Sequence, residues 1–86
     1  MMVPTIHLNG TSCQELMDQI VNVERAGRKM LQALYDASPN GRDYYTQGDN
    51  AFHEVQSEHQ DRVKRIQSVI DEIQEIADSI SEWLTI

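Results

Sequence analysis

The chain has 86 residues with a net charge of −7, 40% hydrophobic and 24% charged. That length holds one domain with a small core, a size at which association between copies is a common source of stability. The acidic balance excludes coating of duplex nucleic acid, which needs clustered Lys and Arg, and the single cysteine, Cys13, excludes an internal disulfide.

One cysteine also suits a reducing cytoplasm. The N-terminus shows no basic region followed by an apolar run, so neither a signal peptide nor a membrane partner is expected. Val3 to Leu8 reads as an extended arm, because Pro4 blocks a helix and Thr5 and Ile6 favour strand geometry. Asn9-Gly10 turns the chain. Thr11 and Ser12, with Gln14 and Glu15 three residues beyond them, form two overlapping capping boxes.

Helix 1 is expected over about 11–37. Cys13, Leu16, Ile20, Val23, Gly27, Met30, Leu34 and Ala37 recur at steps of three and four. Ser38-Pro39-Asn40-Gly41 ends it, and the loop is placed at about 38–48. Asp49 or Asn50 is the expected cap of helix 2, placed at about 49–85. The organising stripe lies in helix 2: Phe52, Val55, His59, Arg62, Ile66, Val69, Ile73, Ile76, Ile80 and Trp83, a heptad series without Gly or Pro.

These features define an all-α class: an antiparallel two-helix hairpin with a short extended arm at residues 1–10, forming one domain over 1–86. Aligning the two stripes across the loop predicts Leu34 beside Phe52, Gly27 beside His59 and Cys13 beside Ile73. On that register Ile76, Ile80, Trp83 and Leu84 stay uncovered at the far end of helix 2. The uncovered patch predicts a homo-oligomeric helical bundle.

Catalytic chemistry is not expected. His53 and His59 are six apart and do not share a helix face as metal ligands at i, i+4 would. Glu54 and Glu58 are at that spacing, but a solvated face with a Glu58–Arg62 pair explains them. Cys13 lies on the core stripe as a small apolar residue. No phosphate loop, dinucleotide fingerprint or triad pattern is present, so the chain is read as a non-enzyme without cofactor or metal.

Two polar segments suit a ligand. In Asn40-Gly41-Arg42-Asp43-Tyr44-Tyr45, an Arg for phosphate, two rings for base stacking and amide or carboxylate edges suit a nucleotide. A polar turn whose tyrosines close the hairpin is the plainer alternative. His7-Leu8-Asn9-Gly10-Thr11-Ser12 sets a glycine turn before a helix N-terminus, which suits an anion, with simple capping as the alternative.

The two segments are expected about 39 Å apart along helix 1. Eight arm residues reach at most about 28 Å, so one ligand can touch both segments only if they come from different protomers. The candidate ligand-binding residues are His7, Asn9, Gly10, Thr11, Ser12, Asn40, Arg42, Tyr44 and Tyr45, with Arg28 and the neighbouring Arg25 lending positive charge.

The motifs His-Leu-Asn-Gly-Thr-Ser and Pro-Asn-Gly-Arg-Asp-Tyr-Tyr, each followed by a helix, give the chain a resemblance to small proteins encoded by tailed bacteriophages. The resemblance implies a phage accessory role in the host cytoplasm, where proteins of this size act against host defences. In size and architecture, though not in motif, the chain is similar to oligomeric sponges that sequester cyclic nucleotide or cyclic ADP-ribose signals. The expected function is therefore sequestration of such a signal. An acidic helical inhibitor or adaptor that binds a host protein is the alternative, and a virion or assembly component is a third.

Overall fold

The computed structural model describes residues 1–84 and consists of two helices packed antiparallel, with no strand among the described residues. Helix α1 spans Cys13–Asp36 and helix α2 spans Ala51–Leu84. Between them lie two short 3-10 turns, Gly41–Asp43 and Tyr45–Gln47. The molecule is a rod of 61 × 20 × 19 Å. Position 85, where helix 2 was expected to end, lies outside the described residues.

α1 begins where the capping pattern places it: Ser12, in extended backbone, accepts the Glu15 N–H on its Oγ at 3.2 Å. Asn50 immediately precedes α2, and its carbonyl takes the Glu54 N–H at 3.0 Å. Gly48, at φ 118°, supplies the backbone conformation that turns the chain into it. In the arm, Pro4 and Ile6 are half-buried while Leu8 points to solvent, 99% exposed.

The helices meet in a register other than the expected one. The His59 ring bonds the Leu34 carbonyl at 2.7 Å, the Cys13 thiol approaches the Ile80 carbonyl at 3.6 Å, and Gly27 faces Ile70. Leu34 therefore lies opposite His59 and not Phe52, Gly27 opposite Ile70 and not His59, and Cys13 opposite Ile80 and not Ile73. Each partner on α2 lies about two to three turns further along. The connection accommodates this: the second 3-10 turn packs against α2 and the first packs against the second, while the residues of α2 before His59 project past the loop end of α1. Ile80, expected in the open, is fully buried at 0% exposure, and Ile76 is half-buried. Only Trp83 and Leu84 of that expected patch remain exposed.

The seam also departs from the heptad stripes. On α2 it runs through His59, Val63, Ile66, Ile70, Ile73, Ala77 and Ile80, while Arg62 and Val69 face outward. On α1, Glu24 and Leu31 are half-buried where Val23 and Met30 were expected. The seam keeps heptad spacing on both helices, but it joins the 59, 66, 73 and 80 row to 63, 70 and 77 on one side where 62, 69 and 76 on the other were expected, because α1 lies on that side of the shared row.

Gly27 lets Ile70, 2% exposed, lie against the α1 backbone: a Cβ on Gly27 would stand 3.1 Å from Ile70 Cγ1. Replacement by a large side chain overpacks that contact. Gly27→Leu is expected to lower unfolding free energy by about 2 kcal/mol despite better helix propensity, with part of the loss recovered in Gly27→Leu/Ile70→Ala. Denaturant titration of the two variants checks this, and a Gly27→Leu chain more stable than wild type contradicts the contact.

Candidate ligand site

The two polar segments sit at opposite ends of α1, whose 24 residues separate them by about 36 Å. In a single chain they form no common site.

At the loop corner, Asn40 accepts the Arg42 N–H on its Oδ1 at 3.0 Å, and the Asn40 carbonyl takes the Asp43 N–H at 3.1 Å. This Asx turn fixes the backbone that carries Arg42. The Arg42 side chain is exposed and makes no ion pair among the described residues. Tyr45 is 77% exposed and offers an open ring face. Tyr44 is half-buried and lines a groove of about 390 Å³ with Gln47, Ala51, Val55, Glu58 and Arg62. The groove is a feature the sequence reading missed. Its signal was Val55 and Arg62, one heptad apart on the stripe of helix 2.

At the other end, the Gly10 N–H bonds the His7 carbonyl at 3.1 Å. The His7 ring folds over Gly10, where a Cβ would stand 2.8 Å from Nε2. Asn9 and Thr11 are exposed, and Ser12 is engaged as the helix cap. Arg28 lies on the outer face of α1 in a two-point contact with Glu24, at 3.0 and 3.1 Å, away from both segments.

Charge is divided along the rod. No Lys or Arg occurs in 1–24 or 66–86, so among the described residues the Asp, Glu, Lys and Arg side chains at the end where α1 begins and α2 finishes are all acidic, among them Glu15, Asp18, Glu72, Glu75 and Asp78. The cations lie in the middle and at the loop: Arg25, Arg28, Lys29, Arg62, Lys64, Arg65 and Arg42. An anion resting on the 9–12 turn therefore needs positive charge from elsewhere. Glu54 and Glu58 are both exposed, and Glu58 meets Arg62 at 3.8 Å.

Among the described residues no three His, Cys, Asp or Glu side chains gather in metal-binding geometry, and no helix is long and apolar enough to cross a membrane. Comparison with protein-family models, with curated proteins and with solved structures gave no match.

Proposed function

We propose that this chain is a non-catalytic phage accessory protein that binds a nucleotide-derived signal at a site shared between two copies, withholding it from a host defence effector. The observation that carries the reading is the loop corner: a backbone pinned by Asn40 presents an exposed Arg42 beside Tyr44 and the open ring of Tyr45. Arg42 pairs with phosphate, and the rings stack on a base. The second half comes from another protomer, whose 9–12 turn adds backbone N–H donors, the Asn9 amide and the His7 ring. Because the acidic end repels anions, that turn holds one only with Arg42 of the second copy beside it. Action is stoichiometric, set by affinity and abundance with no turnover. Cyclic nucleotides and cyclic ADP-ribose isomers have the phosphate-plus-ring chemistry this corner takes.

A ligand that binds only the folded state at a hundredfold excess over its Kd adds about 2.7 kcal/mol, a Tm rise of roughly 10 °C or more. Thermal shift against cyclic di- and trinucleotides and cyclic ADP-ribose isomers is expected to show such a rise with one class. Arg42→Ala is expected to abolish the rise without loss of helicity. No shift across the panel, or an unchanged shift in Arg42→Ala, overturns the reading.

One observation favours a second reading, the wholly acidic terminal end with Trp83 and Leu84 exposed upon it. Such a surface suits docking on a basic protein, and salt-sensitive capture of a host protein with no nucleotide shift would select it.

A further inference from the structure

The stripe positions that the seam leaves out form a second line, apolar except at Arg62. On α2, Val55, Arg62, Val69, Ile76 and Trp83 are spaced by seven and lie along one side of the hairpin; Val69 is 52% and Trp83 41% exposed. Met30 of α1 lies on the same side, sharing a surface hollow with Arg62, Arg65 and Ile66, and Val23 is one heptad from it. The groove lined by Tyr44, Val55 and Arg62 stands at one end of this line, and Trp83 at the other. Each is fourteen residues from Val69, about 21 Å along the helix.

We infer that the occupant of this face is a second copy, docked antiparallel about a two-fold axis at Val69, with Trp83 of each copy seated in the groove beside Val55 of the other. Rotation about that axis sets Val69 against its counterpart, Arg62 against Ile76 and Val55 against Trp83. The groove, at about 390 Å³, has room for an indole. The charge pattern selects this orientation. Arg65 and Glu72 flank the line one heptad apart, and antiparallel docking sets Arg65 of each copy against Glu72 of the other, whereas parallel docking sets like charges together. The existing Arg65 contact, to Asp61 at 3.0 Å, is between exposed groups and easily shared. A face about 42 Å long on a rod 20 Å wide offers about 800 Å² per copy, which a stable dimer needs.

The inference rests on the shared-site reading only in part. It deepens that reading by bringing the 9–12 turn of one copy level with the other's loop corner, but the dimer stands on its own evidence. Sedimentation equilibrium of the full chain without ligand separates the two. Wild type is expected to be a dimer at micromolar concentration. Trp83→Ala, Arg65→Glu and Glu72→Arg are each expected to weaken association at least tenfold while circular dichroism stays helical, and Arg65→Glu/Glu72→Arg is expected to restore it. A wild-type monomer at 100-fold higher concentration overturns the inference. So do a dimer indifferent to all three substitutions and a double variant no tighter than the single ones. A dimer obeying this pattern but showing no nucleotide shift supports the inference and removes only the ligand reading.

Discussion

Ile80→Ala should lower the unfolding free energy by about 3 kcal/mol, the largest loss expected of any single truncation in this chain. Ile80 is fully buried under the start of α1, where the Cys13 thiol reaches its carbonyl at 3.6 Å. Removing three carbons there forfeits their transfer energy and leaves a cavity that two helices alone close poorly. The contrast is Val21→Ala, 38% exposed on α1, which should cost less than about 1 kcal/mol. The pair of values reports the helix register directly. In the register that places Cys13 beside Ile73, Ile80 overhangs in solvent and its truncation costs little. Chemical denaturation of both variants measures the difference, and equal small losses would contradict the observed pairing.

His59→Phe should cost about 2 kcal/mol although it keeps an aromatic ring in the seam. The reason lies at the end of α1. The Ser38 N–H turns to the Tyr35 carbonyl at 3.2 Å, which leaves the Leu34 carbonyl without an intrahelical partner. His59 Nε2–H donates to it at 2.7 Å from the opposing helix. Since a carbonyl only accepts, Nε2 carries the proton. The imidazole therefore works as a C-cap delivered across the seam, and Phe leaves a part-buried acceptor unmatched. Amide hydrogen exchange in the last turn of α1 should speed up more in His59→Phe than exchange at the centre of α2. Uniform acceleration would instead indicate a packing role alone.

The sequence revealed different things at different scales. Ser12 with Glu15 announced the start of α1 through local chemistry, because a cap needs only residues three apart. The end of α1 was marked just as locally by Ser38-Pro39-Asn40-Gly41. The register was not legible, since nothing in Gly41-Arg42-Asp43-Tyr44-Tyr45-Thr46-Gln47 announces two 3-10 turns, and with them the pairing of the helices lies two to three turns from the expected one. The heptad stripes were visible but served two surfaces. Ile66, Ile73 and Ile80 went to the seam while Val69 and Trp83 went outside, a division decided by where α1 lies. His59 stood out as a polar residue in an apolar series, yet its partner is a backbone atom that no sequence pattern names. The loop corner was legible as composition; that Asn40 fixes its backbone and that Arg42 is exposed upon it emerged only in the fold.

Distances between single spin labels on paired copies test the shared-site dimer most directly. With Cys13→Ala as background, a label at position 68 should lie within about 20 Å of its counterpart, because that position is next to the two-fold axis. A label at position 50 should lie about 57 Å from its counterpart, since 19 residues of helix separate it from the axis on each side. A short distance at both positions would mean parallel copies, and no intermolecular distance at either would mean a single chain; either result contradicts a site built from one copy's turn and the other's corner.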